Sequence, residues 1–198
     1  MTGIRFSVLT TFVLMACFLT ACASFRQGNL QPPHSWPPEA PQEKQTISLI
    51  VTGEGTINDQ RMDVPPVMIQ KWQEQVNKAY VDSSLFSEVM VGPADTDLRA
   101  EVNVRDIGQG SKGMAFLSGF TLTLFPATGD DIFVVETKIK DKDGQTLGSV
   151  YKTETVSLWI QFFLIFIMPF YWPETVAQET LYDINRAVIV EARDDGIF

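Results

Sequence analysis

One turn in the second half of the chain most constrains its fold. Asp141-Lys142-Asp143-Gly144 separates two alternating runs of residues, 132–140 and 146–155. An Asp-Gly pair supplies the backbone angles that a tight hairpin needs, and alternation places the apolar side chains on one face of each strand. The two runs are therefore predicted to form an antiparallel hairpin, and the chain must build a sheet with a buried face.

Further strands and two helices are predicted around this hairpin. Alternation or β-branched composition predicts strands from Thr46, over 88–91 and over 98–107. One helix is predicted from Pro65-Pro66 to about Tyr80 and a second from about Pro173 to Ala192, each with apolar residues at three-four spacing: Ile69, Trp72, Val76 and Ala79, then Ala177, Leu181, Ile184 and Val188. This order predicts an α+β fold for residues 46–198, a two-layer sandwich of a mainly antiparallel sheet with two helices.

The beginning of the chain reads as an export signal. Arg5 precedes an apolar run, 12–19, that is too short to span a bilayer and suits the core of a secretory signal. The run ends at Leu19-Thr20-Ala21-Cys22, which resembles the bacterial lipobox. The resemblance implies that residues 1–21 are removed and that Cys22 carries diacylglycerol and a fatty acyl group such as palmitate.

Cysteine usage and charge exclude several classes of function. Cys17 leaves with the predicted signal and Cys22 is consumed by acylation, so the mature chain has no thiol for a disulfide, a metal or a nucleophile. The net charge is −9, which argues against nucleic acid as a partner and against electrostatic attraction to anionic lipid. Attachment to a membrane must therefore be hydrophobic.

Residues 22–45 are predicted to be a lipidated cysteine followed by a proline-rich tether. The segment holds five prolines and few aliphatic residues, so an extended spacer is expected between the lipid and the domain. The only histidine, His34, lies in it. No catalytic or metal-binding role is expected for this side chain, because a tether offers no pocket to orient it.

Two apolar segments interrupt the polar pattern of the domain. Residues 114–126 are expected to contain a strand, with Phe120, Leu122 and Leu124 on one face. Residues 156–172 hold no charge, and as a helix they would be about 25 Å long, slightly short of a bilayer core of about 30 Å. The segment could span the membrane, lie in its interface, or be buried in the core or a subunit contact. Its candidate contacts with membrane or partner are Trp159, Phe162, Phe163, Phe166, Phe170 and Trp172.

Motifs for catalysis are weak throughout. Residues 108–113 match G-x-G-x-x-G, but the residues that follow read as a strand, whereas a dinucleotide site needs a helix there. The paired aspartates at 95 and 97, 130 and 131, and 141 and 143 are expected in turns that face water. We therefore expect no catalytic residues, no metal and no cofactor beyond the covalent lipid, and predict that the protein is not an enzyme.

A family resemblance adds to this interpretation. The run Ala79-Tyr80-Val81-Asp82-Ser83-Ser84-Leu85-Phe86-Ser87-Glu88-Val89, followed by Ala94-Asp95-Thr96-Asp97-Leu98, resembles Gram-negative envelope lipoproteins of the broad CsgG and TolB-N-like type. The stretch 118–126 and the hairpin after it also look like uncharacterised proteobacterial lipoproteins. Ala23, in place of aspartate, resembles the sorting pattern for the periplasmic face of the outer membrane.

Two functions are compatible with this resemblance. The first is a lipid-anchored, non-enzymatic accessory or assembly protein whose apolar segments dock on membrane lipid, on an envelope protein or on a second copy. The alternative is one component of a CsgG-like oligomeric export channel that inserts the same segments. The resemblance implies an envelope location in both cases.

Overall fold

The computed structural model describes residues 21–121 and 123–198, and it has an α+β fold. The predicted signal residues Leu19 and Thr20 lie outside this part of the chain. Its elements, in chain order, are β1 (Cys22–Arg26), β2 (Thr46–Ile57), β3 (Gln60–Met62), α1 (Pro66–Asp82), β4 (Glu88–Val91), β5 (Leu98–Gly110), α2 (Lys112–Phe120), β6 (Ala127–Asp141), β7 (Thr146–Ile160), two 3-10 helices (Phe162–Phe166 and Met168–Phe170) and α3 (Pro173–Asp194).

The strands form one mixed sheet in the order β1-β7-β6-β5-β2-β3, with β4 beside the first half of β2. The pairs β1–β7, β7–β6, β6–β5 and β2–β3 are antiparallel, whereas β2 is parallel to β4 and β5. The predicted hairpin is confirmed: β6 and β7 are joined at Asp141–Gln145, and Gly144 has a φ of +81° that favours glycine. The prediction of a mainly antiparallel sheet is also confirmed.

Two helices, α1 and α3, cover one face of the sheet, as the apolar stripes predicted. Each begins with a proline in its first turn, where the missing N–H costs nothing. Gly53 in β2 lets α1 approach closely, because a Cβ there would lie 2.6 Å from the Trp72 ring. The core between the two layers is aliphatic and aromatic, and its members include Ile47, Leu49, Val102, Val104, Phe133, Ile139, Trp72, Val76, Tyr80, Leu181, Ile184 and Ile189.

The start of the predicted tether belongs to the sheet instead. Residues 22–26 pair with the end of β7 as edge strand β1, so no extended spacer separates Cys22 from the domain. The residues that follow lie against the domain, where Leu30 and Trp36 pack on the core. The strand at the edge of a sheet has unpaired backbone N–H and C=O groups that can bond to a further strand. The composition of residues 22–26 does not reveal that they pair in this way.

Two local predictions are wrong. Residues 112–120 form the helix α2 in place of a strand, and Ser111 caps it by accepting a hydrogen bond from the backbone N–H of Met114 at 3.3 Å. A helix therefore begins within the motif G-x-G-x-x-G, residues 108–113, and continues after it. Asp130 and Asp131 lie within β6, paired with β5 and β7, because long-range strand pairing overrides their preference for turns.

The apolar segment 156–172 is divided between two kinds of structure. Val156–Ile160 completes β7, and the remainder forms the two 3-10 helices before Pro173 begins α3. Within residues 21–121 and 123–198, no helix is both long and apolar enough to cross a membrane. Burial in the core does not hold for the phenylalanines at 163, 166 and 170, which are exposed.

Candidate functional site

The two apolar segments emerge from the same end of the sheet. Strands β5 and β7 end there and β1 and β6 begin there, since Ile160 is paired with Cys22 on one side and with Ala127 on the other. We call this the apolar end; it comprises residues 112–121, 123–126 and 159–172. The backbone N–H of Phe162 donates to the carbonyl of Thr123 at 3.2 Å, which joins the two segments into one surface.

Aromatic side chains at the apolar end point away from the protein. Six phenylalanines are each more than half exposed: Phe116 (77%), Phe120 (79%), Phe125 (56%), Phe163 (60%), Phe166 (78%) and Phe170 (81%). Other exposed apolar or aromatic neighbours extend the surface: Leu117, Leu124, Trp159, Tyr171 and Trp172. A contiguous apolar surface of this kind marks a place where a soluble domain meets a membrane or a partner.

Local structure explains why these side chains are not buried. Helix α2 buries one residue, Ser118, so its aromatic rings lie outside the core. The two 3-10 helices bury none of their residues. Pro169 lies in the first turn of the second of them, where a fixed φ suits the tight backbone. Both segments therefore project outward from the sheet.

The predicted lipidation residue lies in this same surface. Cys22 is the first residue of β1, and its half-buried position raises the pKa of its thiol above the ordinary value. Ala21, the last residue of the predicted signal, is buried, and its carbonyl accepts a hydrogen bond from the N–H of Gln161 at 3.1 Å. A lipid on Cys22 would thus leave the protein beside the 3-10 helices.

The segment after β7 also protects the free edge of β1. The backbone N–H of Ser24 donates to the carbonyl of Tyr171 at 3.0 Å, and the rings of Phe25 and Tyr171 lie 4.9 Å apart. These contacts hold the second 3-10 helix against the strand that begins at Cys22. Strand β1 and the aromatic segment are therefore one structural unit.

Acidic side chains lie just inside the apolar end. Asp106 of β5 and Asp131 of β6 line a cavity of about 130 Å³ between the sheet and the start of α1. Burial, and then the charge of Asp131, raises the pKa of Asp106 to about 7; burial and the charge of Asp130 raise the pKa of Asp131. Among the described residues, no group of three or more histidine, cysteine or acidic side chains is placed to hold a metal ion.

The structure extends the set of contacts proposed from sequence. Trp159, Phe163, Phe166, Phe170 and Trp172 are exposed at the apolar end, whereas Phe162 is half-buried against Phe163, with ring centroids 5.3 Å apart. The aromatic residues of α2 were not among the membrane or partner contacts predicted from the sequence. The charge-free run from Gly113 to Gly129 was the available signal for them.

A second residue that sequence analysis missed is Glu154 of β7. Its side chain is fully buried, and its carboxylate accepts hydrogen bonds from three backbone N–H groups, those of Asn29 at 3.1 Å, Leu30 at 3.0 Å and Thr155 at 2.8 Å. Charge-assisted bonds of this kind are about twice as strong as neutral ones. Glu154 therefore binds the residues that follow β1 to the body of the domain.

Comparisons with known proteins give likenesses of structure only. No protein-family model and no curated protein matches the chain. Among solved structures, the PelC dodecamer from Paraburkholderia phytofirmans is similar with a TM-score of 0.40 and 8% identity, over 86% of this chain and 95% of that one. A minor lipoprotein from Acinetobacter baumannii has a TM-score of 0.36 and 14% identity, over 79% of this chain and 90% of that one.

A third similar structure is described as a homolog of the neuraminyllactose-binding hemagglutinin from Helicobacter pylori. Its TM-score is 0.35 and its identity is 9%, over 60% of this chain and 69% of that one. One of the three neighbours carries the name lipoprotein. What each of them binds or assembles into is a property of that protein.

Proposed function

We propose that this protein is a lipid-anchored, non-enzymatic accessory protein of the bacterial envelope that docks its apolar end onto the membrane holding its own lipid. One observation carries the proposal: the predicted lipidation site, Cys22, begins a strand at the same end of the sheet as the exposed aromatic segments. The apolar end and the acyl chains would then enter one lipid surface together. The periplasmic face of the outer membrane is the location we propose.

The position of Cys22 favours lipid over a protein partner as the occupant of this surface. Because β1 is part of the sheet, no spacer separates the acyl chains from Trp159, whose Cα is the register partner of Ala23. Any bilayer that takes up the lipid must therefore come within reach of the 3-10 helices. A protein partner would have to displace that bilayer from the aromatic rings.

Maturation at Cys22 is compatible with the pairing of β1. Removal of the signal takes away the Ala21 carbonyl that accepts from Gln161, but N-acylation of Cys22 forms a new amide with its carbonyl carbon in the same covalent position. The fatty acyl carbonyl can therefore accept the bond that Ala21 gives up. The acyl chain would continue from this carbonyl toward the apolar end.

The apolar end adds a second contact to that of the lipid. The diacylglycerol and fatty acyl group proposed on Cys22 are three acyl chains, and two such signals already give stable anchoring, so the second contact serves to orient the domain. Complete burial of a phenylalanine side chain contributes roughly 1.5–3 kcal/mol, and six are largely exposed at the apolar end. Partial insertion of these rings would contribute several kcal/mol in total, enough for a non-lipidated form to bind vesicles through this end.

Vesicle flotation of a non-lipidated form tests the docking. The Cys22→Ser protein, produced without residues 1–21 so that the apolar signal cannot bind lipid, should float with zwitterionic vesicles through its apolar end alone. The further change Phe163→Asp/Phe166→Asp should abolish flotation. Both phenylalanines are exposed, so the domain should remain folded by circular dichroism. Two new charges would have to enter the lipid interface, which is why binding is lost.

A matched control carries the same two charges at the opposite end of the sheet. Val81 and Leu147 are 53% and 44% exposed and lie near the ends of α1 and the β6–β7 turn. Val81→Asp/Leu147→Asp should float like the Cys22→Ser parent. A parent protein that stays in the soluble fraction, or equal loss of flotation in both double variants, would refute docking through the apolar end.

A further inference from the structure

The segment after β1 is bound to β7 and to the second half of α3. We call residues 27–45 the strap. Near its start, the Asn29 and Leu30 amides bond to Glu154; farther on, the guanidinium of Arg186 stacks over the Trp36 ring at 5.0 Å, and His34 Nδ1 lies 3.8 Å from a carboxylate oxygen of Asp194. A segment that composition predicts to be a free spacer is therefore held on the domain.

The contacts of Glu154 are concentrated where the strap leaves the sheet. Arg26, the last residue of β1, donates to Asp183 of α3 at 2.6 Å, and its guanidinium lies 4.0 Å from the Glu154 carboxylate. Gln27 donates its backbone N–H to the carbonyl of Thr155 at 2.9 Å. Buried Glu154 thus binds the backbone of Asn29 and Leu30 near the start of the strap, while Arg26 connects the end of β1 to α3.

This arrangement controls whether β1 stays in the sheet. Strand β1 has five residues and lies at the edge, so it is held by one neighbouring strand, β7, and by Tyr171. Short terminal edge strands open at low cost unless both ends are fixed. If the strap detached, Glu154 would lose two of its three N–H donors in a buried site, which makes the detached state unfavourable.

We propose that Glu154 is a positioning residue that latches the strap and so keeps the lipid-bearing strand in the sheet. The inference rests on the proposed function, since the latch matters when Cys22 carries the lipid. With the latch closed, the lipid leaves from the apolar end and that end must face the membrane. With it open, residues 22–45 become a tether of up to about 80 Å, and the domain is oriented only by the reversible contact of its apolar end with the membrane.

The test uses the full lipidated protein in vesicles and the substitution Glu154→Gln. Glutamine keeps the shape of the side chain, but its amide nitrogen faces a backbone N–H, so at least one hydrogen bond of the latch is lost. Glu136→Gln is the matched control, because Glu136 lies on the neighbouring strand at the opposite, solvent-exposed face, where it pairs with Lys138 at 3.1 Å. Both variants lose one negative charge.

Two measurements report the state of the latch. Trypsin should cleave after Arg26 at least about ten-fold faster in Glu154→Gln than in the wild type or the control, because local opening exposes the bond. A dye at position 142, introduced by Lys142→Cys in the far turn, should show one well-defined long distance to the membrane in the wild type, roughly 50 Å, because the 15 residues of β6 separate this turn from the apolar end. In Glu154→Gln the distance distribution should become broader and include both shorter and longer distances.

A second variant covers the case in which Glu154→Gln fails to fold. Leu30→Pro removes one N–H donor of the latch from the strap side and leaves the sheet unchanged, so it should show the same faster cleavage and the same broader distance distribution. Wild-type cleavage and wild-type distances in a folded Glu154→Gln or Leu30→Pro protein would overturn the inference. Phe163→Asp/Phe166→Asp should broaden the distance distribution while the strap stays protected from trypsin, which separates failure of docking from failure of the latch.

Discussion

Replacing Asp106 with asparagine should make stability less dependent on pH. Asp106 lies on β5 opposite Phe133 of β6, and its Oδ1 atom is buried with no hydrogen-bond partner among the described residues. Burial and the nearby charge of Asp131 both disfavour the ionised carboxylate, which raises the pKa of Asp106 from 3.8 to about 7. The folded protein therefore holds a proton that the unfolded chain releases.

The sign of the effect follows from this difference in proton binding. Between pH 4 and 7 the folded state binds more protons at Asp106 than the unfolded state does, so the free energy of unfolding falls as pH rises through this window. Well above pH 7, Asp106 is ionised in both states, and it no longer makes the free energy of unfolding depend on pH. A shift of one unit corresponds to about 1.4 kcal/mol, but Asp106 retains some exposure to solvent, and we expect a total effect of about 1–2 kcal/mol.

Urea unfolding at pH 5 and pH 8 measures this effect directly. Asp106→Asn should be more stable than the wild type by about 1–2 kcal/mol at pH 8, and the difference should shrink at pH 5, where the wild-type carboxyl is protonated. Asp143→Asn, in the exposed hairpin turn, serves as the control and should give the same small difference at both pH values. A stability difference between Asp106→Asn and wild type that is equal at pH 5 and 8 would contradict the argument.

Two further changes test the packing and the anchor. Gly53→Ala should lower the free energy of unfolding by about 1–3 kcal/mol, because the new methyl group would lie 2.6 Å from the Trp72 ring, whereas Gly119→Ala in α2 meets no atom within 4 Å and should be tolerated. Urea unfolding measures both, and equal stability of the two variants would show that α1 can move away at no cost. Cys22→Ser should abolish labelling of the protein by a radioactive fatty acid; continued labelling would place the lipid elsewhere.

Much of the fold could be predicted because its signals are local. The Asp-Gly hairpin, the prolines that begin α1 and α3, and the apolar stripes of both helices are properties of short runs of residues. The segment 114–126 could not be assigned in the same way. Its alternating phenylalanine, leucine and threonine residues fit a strand, and the cap at Ser111 that begins a helix involves one side chain.

The sequence alone determined that the chain carries an aromatic, charge-free segment at 156–172 and a cysteine in a lipobox-like context. Only the tertiary structure brought these features together, because Cys22 and Ile160 are paired across most of the length of the chain. The same is true of Glu154, whose burial and bonds to Asn29 and Leu30 depend on where the strap folds back. Local propensity records what one residue prefers in its own neighbourhood, whereas strand pairing, burial and the exposure of the apolar end are decided by contacts between segments that are distant in sequence.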